Sequence, residues 1–578
     1  MSIFLGLSAV ALATSQPEPD PLAPDPLAPV VEQPVDTSEP VEAVRRAPTP
    51  SAPTPVIVIP RDWRGVFDAI RAGQWTAASA GIATLPAGPL TAVAKAQLFT
   101  ARGSPRVELQ PLASLLAEAP DLPAAGQLQS MARTRGAVTL PPITPSYRIV
   151  QIGASPRRGR ARPVTGEPEA DRLRTEIEAY VKADDPLGAE ALVASRMPLL
   201  SYEARAEAAQ RLAWIYYMRG MDGDARRVAD AGRYGATGEW AAHAAWVSGL
   251  AAWRQNDCIA SARLFREVAQ RAPEPSLQAG GYYWAARSEM ACRRPAAVSG
   301  LMRAAAQNGE TFYGLMARRT LGMPTKLPPL AVQADTRVEA LPNVRRAVEL
   351  HKIGERDLAG QYLRHQARIG NRADHAALVA IAQRLDLPAT QHWLAHFGQP
   401  GTRLPAAARY PRPSWTPRGG WRIDPSLAFA HALQESSFRS EAVSHAGAVG
   451  LMQVLPSTAA LISRNKGVPR GNLADPSVNI EFGQSWIEWM RGHSATQGQL
   501  PKVIASYNAG PLPVGRWAVN DKGDPLLWIE SIPYWETRFY VPTVLRNMWV
   551  YEELAGGKTP TLTSMAQHKW PAFPVARR

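Results

Sequence analysis

One carboxyl side chain, Glu435, stands where an apolar run gives way to a glycine-punctuated loop. Asp424-Pro425 supplies a capping side chain and then a residue pre-set for a first helical turn, so a helix is expected to open there. Leu427, Phe429, Ala430 and Leu433 give that helix its bulk, while Ala428, His431, Ala432 and Glu435 share one face by the 3.6-residue period. Small neighbours leave room for a substrate beside the carboxyl. Apolar walls disfavour its ionised form and raise its pKa. A carboxylic acid kept protonated near neutral pH can give its proton to a glycosidic oxygen. Taken alone, a helical glutamate is more often a solvent-facing ion-pair partner, so the surrounding residues must decide. A polar bend follows, then Gly447 and Gly450, where the backbone must be approached closely, and a second helix is expected from about Pro456.

Those surroundings form a long spaced pattern. Glu435-Ser436 is followed by Phe438, Ala442, Ser444, Gly447-Ala448, Gly450-Leu451-Met452-Gln453, Pro456 and Thr458-Ala459. Leu473-Ala474-Asp475-Pro476 precedes Asn479-Ile480 and Gly483, and Ala505 to Pro511 reads ASYNAGP. Ile532-Pro533 leads to Glu536-Thr537-Arg538 and Tyr540-Val541. In order and spacing these blocks resemble the catalytic part of the soluble lytic transglycosylases, enzymes with a lysozyme-like domain that cut the sugar strands of peptidoglycan. Chance agreement over so many positions is negligible. Leu433 departs from the pattern, since relatives often carry a basic residue there, and His445 stands where Pro or Ser is commoner. The first departure bears on a helix-surface contact rather than on the chemistry.

The resemblance implies that Glu435 is the catalytic acid. It also implies that Ser436, Phe438, Ser444, Met452, Gln453, Tyr507, Asn508, Glu536 and Tyr540 line the substrate, with Tyr507 oriented toward the carboxyl. Asp475 is expected to cap a helix from Pro476 to Met490. Read without the family, Glu536 and Arg538 would be a plain ion pair at a helix start. The loop Leu512 to Val514 looks longer than the family's and is expected to alter the cleft wall.

Most glycosidases use two carboxyls at the bond. The matched pattern supplies one, which implies a non-hydrolytic cycle: cleavage between N-acetylmuramic acid and N-acetylglucosamine, closed by the muramic C6 hydroxyl as a 1,6-anhydro ring. No metal and no cofactor is expected. A hydrolytic muramidase of the same fold and a non-catalytic glycan-binding scaffold are the competing readings.

The elements upstream read as helical. Trp214, Gly249 and Tyr282 open three loosely similar segments whose small residues Ala225, Ala262 and Ala297 recur roughly every 36 residues, the period of tetratricopeptide-like hairpins. Such pairs bury their faces only by stacking. The aromatics Trp214, Tyr216, Tyr217, Trp253, Tyr282, Tyr283 and Trp284 are therefore expected in the core between repeats rather than as sugar platforms. The YYWAAR stretch at Tyr282 and ETFYGLMARRTLG from Glu310 also resemble the region before the catalytic part of the larger family members. The expected fold is thus all-α: an α-solenoid followed by a lysozyme-like domain. Boundaries are expected at 1–13 for a signal peptide, 14–60 for a disordered Pro-rich tether, 61–137 for an N-terminal helical segment and 138–171 for a connector. The solenoid is expected over 172–398, a linker over 399–420, the catalytic domain over 421–556 and a tail over 557–578.

Composition narrows the class. The chain has 578 residues, too many for one core, with 46% hydrophobic and 20% charged residues. The apolar run Ile3 to Ala13, closed by Ala-Leu-Ala, has the length of a signal-peptide core although no Lys or Arg precedes it. Export to the periplasm is expected, without a transmembrane anchor, because the run is too short to span a bilayer. The net charge of +14 suits an acidic envelope, and no groove-reading motif accompanies it, so nucleic acid is not expected as a partner. Peptidoglycan glycan strands are the expected partner, with other cell-wall enzymes as further candidates. The two cysteines, Cys258 and Cys292, form no metal-binding pattern. A disulfide and two buried thiols remain equally open.

Overall fold

The computed structural model describes residues 58–183, 185–330 and 335–576. The expected signal peptide, and the tether apart from residues 58–60, lie outside the described residues. The described residues form two compact units that divide between Pro142 and Ile143.

Among the described residues of the first unit five helices follow one another: Trp63–Arg71, Trp75–Thr84, Pro89–Thr100, Leu109–Glu118 and Ala125–Thr134. The Asp62 carboxylate accepts from the Gly65 amide (2.7 Å) and caps the first of them. Val66, Phe67, Leu90, Val93, Leu112, Leu116 and Leu128 form the apolar interior.

The second unit begins with stacked helix pairs. Tyr202–Met218 pairs with Asp222–Gly232, Glu239–Arg254 with Cys258–Arg271, and Pro275–Ala291 with Val298–Gln307. Small residues let these helices approach closely: Ala225 and Ala262 are fully buried, and a Cβ at Gly281 would lie 2.7 Å from the Phe265 carbonyl oxygen. Tyr216, Tyr217, Tyr283 and Trp284 fill the interior, and Trp214, Trp253 and Tyr282 pack partly buried against it. Cys258 and Cys292 are bonded as a disulfide, Cα atoms 5.5 Å apart, joining the start of one helix to the end of the next.

The expected connector has little regular structure of its own and is tied down by distant partners. Val150–Gln151 pairs antiparallel with Phe397–Gly398, the one two-stranded sheet among the described residues. Farther on, the Pro156 carbonyl accepts from Arg546, Trp240 Nε1 donates to the Arg162 carbonyl (2.8 Å), and the Val164 amide donates to Glu207 (2.8 Å). This strap stitches the solenoid helices to the C-terminal helices.

The C-terminal part includes the Glu435 helix (Pro425–Ser436), Pro456–Lys466, the Asn479 helix (Pro476–Gly492), the Tyr507 helix (Leu500–Ala509), Pro525–Glu530 and the Tyr540 helix (Trp535–Leu554). The Tyr540 helix packs against both the Glu435 and the Tyr507 helices. Leu512 to Val514, expected as a long loop, lies in a short helix, Pro511–Arg516, because Pro511 follows Gly510 at a favourable first turn. The expected tail packs down over its described residues, 557–576. Pro560–Ala566 buries Leu562 and Met565, Trp570 meets Trp528 edge-on, and the Asp424 amide donates to the Pro574 carbonyl.

Candidate active site

Glu435 lies in the last turn of its helix, which opens as the sequence suggests: Asp424 accepts from the Ser426 amide (2.8 Å). The helix ends at Ser437 and Phe438, both at positive φ, and this turn carries the chain into the glycine loop. Leu427, Ala428, Ala430, Ala432 and Leu433 bury the helix that carries the carboxyl. Part of the Glu435 surface stays open, yet the carboxyl is packed deeply enough that burial raises its pKa to about 7. The Glu536 charge pushes the same way, and only the bond from Tyr540 opposes it.

That bond is direct. The Tyr540 hydroxyl donates to Glu435 Oε1 at 2.5 Å, and the same hydroxyl lies 2.8 Å from His431 Nδ1. Tyr507, expected to turn its hydroxyl toward the carboxyl, instead donates to the Met452 carbonyl (2.6 Å). It remains close to Glu435 electrostatically, and its ring packs 4.4 Å from that of His431. The tyrosine that grips the carboxyl is therefore Tyr540. Both lie in matched blocks, so spacing cannot distinguish them.

The loop opposite is braced by its own polar groups. Ser436 Oγ donates to the Leu451 carbonyl (2.8 Å), Gln453 Nε2 to the Gly450 carbonyl (2.8 Å), and the Ala448 amide to Ser444 Oγ (3.0 Å). Asn479 ties the loop from behind. Its Oδ1 accepts from the Met452 amide (2.8 Å), and its Nδ2 donates to the Val449 and Leu473 carbonyls. Ser436, Ser444 and Gln453, expected at the substrate, thus spend these bonds holding the loop. Phe438 is buried against Phe429. Met452 is wholly buried and lies against Gly483, where a Cβ would be 2.3 Å from its sulfur. Asn508 accepts from Thr537 Oγ1 (2.6 Å), joining the Tyr507 and Tyr540 helices. Glu536 is exposed on the first turn of the Tyr540 helix and makes no ion pair with Arg538 among the described residues. Arg538 instead lies 3.7 Å over the ring of solenoid Trp214 and donates to the Ile532 carbonyl. Asp475 caps its helix through the Val478 amide (2.9 Å).

Gly450 has φ +79°, and a Cβ there would lie 2.2 Å from Asn479 Nδ2 and 2.4 Å from the Leu473 carbonyl oxygen. Gly450→Ala must both strain the backbone and break the Asn479 brace. We expect a loss of about 2–3 kcal/mol in chemical denaturation, together with weakened activity.

A surface cavity of about 540 Å³, walled by Arg418, Arg422, Lys466, Phe482 and Glu488 among others, includes none of these site residues. Arg422 there is paired with Glu481 and Glu488. Among the described residues no group of three or more His, Cys, Asp or Glu side chains is placed to hold a metal ion.

Residues 417–525 match the family model described as Transglycosylase SLT domain. That stretch is similar to SLT domains. It carries Glu435, the Asn479 helix and the Tyr507 helix, while the Tyr540 helix lies just beyond the matched residues. Over 154 residues the chain is 37% identical to the soluble lytic murein transglycosylase of Escherichia coli K12, covering 26% of this chain and 23% of that protein. Over 111 residues it is 38% identical to the membrane-bound lytic murein transglycosylase C of Edwardsiella ictaluri, covering 18% and 31%. The match thus spans about a quarter to a third of these curated relatives. Beyond the SLT domain the likeness is one of fold. The 70 kDa soluble lytic transglycosylase from Escherichia coli superposes with TM-score 0.52 at 19% identity, covering 88% of this chain and 99% of that one. The lytic transglycosylase Slt from Pseudomonas aeruginosa gives 0.51 at 19% identity, covering 86% of each. The fold is all-α, a helical superstructure followed by a lysozyme-like C-terminal domain.

Proposed function

We propose that this chain is a lytic transglycosylase of peptidoglycan, acting in cell-wall turnover or remodelling. The observation that carries this reading is Glu435: an acid held protonated toward neutral pH by burial, partly open to the cleft, with one oxygen already gripped by Tyr540. The relatives named as lytic murein transglycosylases supply the substrate class. In the cycle, Glu435 gives its proton to the oxygen between N-acetylmuramic acid and N-acetylglucosamine, and the bond to muramic C1 breaks. The muramic N-acetyl group assists in place of a protein nucleophile. Ionised Glu435, stabilised by the Tyr540 hydroxyl, then takes the proton of the C6 hydroxyl as its oxygen bonds to C1. The acid is restored, a 1,6-anhydro ring closes and no water is consumed.

Glu536 is the second carboxyl within electrostatic reach, and its exposed place suits contact with substrate rather than proton transfer. The Cys258–Cys292 disulfide supports an oxidising compartment such as the periplasm. No helix among the described residues is long and apolar enough to cross a membrane. The glycan strand is the partner this reading requires, with the helical superstructure as its positioning body.

Mass spectrometry of intact sacculi digested by the protein tests the proposal. Fragments ending in 1,6-anhydro-muramic acid are expected, each lighter by one water than its hydrolysed counterpart. Reducing ends alone would make the protein a hydrolytic muramidase, and intact strands would leave only a binding role.

A further inference from the structure

We propose that His431 is a positioning residue that works through Tyr540, fixing that hydroxyl so that Glu435 carries its reactive proton on Oε2. The inference rests on the reading of Glu435 as the acid and adds a group that assigns the proton to one of its two oxygens.

A tyrosine hydroxyl has one proton, and Tyr540 Oη has two neighbours: Glu435 Oε1 at 2.5 Å and His431 Nδ1 at 2.8 Å. Two arrangements satisfy both contacts. In the first, Nδ1 is bare and accepts from Tyr540, so Glu435 must be protonated on Oε1 and spend that proton on Tyr540. Such a carboxyl has nothing to give a glycosidic oxygen. In the second, His431 donates Nδ1–H to Tyr540 and Tyr540 donates to Oε1. The Glu435 proton then resides on Oε2, which has no protein partner among the described residues. Only this second tautomer arms the acid.

The surroundings keep His431 to that task. It is 1% exposed, and burial lowers its pKa to about 3, so it stays neutral across the working range. The Tyr507 ring packs against it with centroids 4.4 Å apart and blocks its rotation. Tyr507 cannot compete for the carboxyl, since its own hydroxyl is committed to the Met452 carbonyl. The titratable groups that face Glu435 are therefore His431 on its own helix, Tyr507 on the second, and Tyr540 and Glu536 on the third. A proton donated to Tyr540 also strengthens Tyr540 as a donor, because linked hydrogen bonds polarise one another. Losing it should weaken support for ionised Glu435 and move its titration to higher pH.

Two variants and one spectrum test this. His431→Leu keeps bulk and removes the donor, whereas His431→Asn keeps a side-chain N–H near the Nδ1 position. For Leu we expect kcat on sacculi to fall about tenfold or more with KM nearly unchanged, and the alkaline limb of the pH profile to move upward. Asn should restore most of both. In the wild-type protein, ¹⁵N spectra of the imidazoles should show His431 protonated at Nδ1 and bare at Nε2 throughout pH 5–9. An Nε2–H tautomer overturns the proposal even if neither variant folds. So does a His431→Leu enzyme with unchanged kcat and an unchanged profile. These outcomes are distinct from failure of the functional reading, in which the wild-type protein itself releases no cleaved strands.

Discussion

Glu435→Gln lowers the rate of glycan cleavage by about 10²–10⁴-fold and, above neutral pH, makes the protein more stable than the wild type. Both effects come from one feature, the burial that lifts the Glu435 pKa to about 7. In the unfolded chain this carboxyl titrates in the ordinary glutamate range, so the folded state favours the protonated form. That stability is fully present in acid and is lost as pH rises toward and through about 7. Gln has no proton to lose. The variant's advantage should therefore be small at pH 4 and grow to about 1–3 kcal/mol by pH 8, discounted because part of the side chain stays open to solvent. Urea denaturation at the two pH values reads the stability, and release of soluble fragments from sacculi reads the rate. A variant that cleaves normally would remove Glu435 from the chemistry. A flat stability difference would mean the carboxyl is ordinary.

The same carboxyl shows how far the sequence could be read. Its helix, its cap at Asp424 and the glycine loop were legible because each depends on neighbours a few residues away. The contact that tunes it was not. Tyr540 is 105 residues on, and whether it or Tyr507 reaches the acid depends on the crossing of two helices that both carry a matched tyrosine. Ser444 and Gln453 show a related limit. Their polarity marks importance, but it cannot separate a side chain waiting for substrate from one already bonded to its own loop. The segment 138–171 shows another limit. Its Pro and Arg content describes a chain that cannot form its own core, and the sequence alone cannot reveal that partners from several distant helices supply one. In the tail, Leu562, Met565, Trp570 and Phe573 were an available apolar signal.

Arg158 is the residue on which that strap depends most. Its guanidinium lies 4.3 Å over solenoid Trp246 and donates to Glu530 Oε2 at 2.5 Å, on the helix just before the Tyr540 helix. The Glu530 side chain is 1% exposed and that of Arg158 11%. Tyr313 supplies the other support for Glu530, donating to Oε1 (2.6 Å). Removing Arg158 would leave a buried carboxylate with the Tyr313 hydroxyl as its hydrogen-bond donor and only the charge of Arg538, which is not bonded to it, as an offset. Breaking a buried pair from one side costs about 3–5 kcal/mol, because the cost lies in the stranded charge more than in the lost attraction. Arg158→Ala should therefore lose stability on that scale in chemical denaturation. The double variant Arg158→Met/Glu530→Gln should recover most of it, since the amide still receives the Tyr313 bond and Arg538 loses the repulsion of Arg158 together with the attraction of Glu530. An Arg158→Ala protein within about 1 kcal/mol of wild type would mean that the strap merely lies in its groove. The predicted pattern instead makes Arg158 the strap's electrostatic fastening. Because the Glu530 helix leads directly into the Tyr540 helix, loosening it should also reach the hydroxyl that grips Glu435. Cleavage by Arg158→Ala should accordingly fall while the protein remains folded in the absence of denaturant.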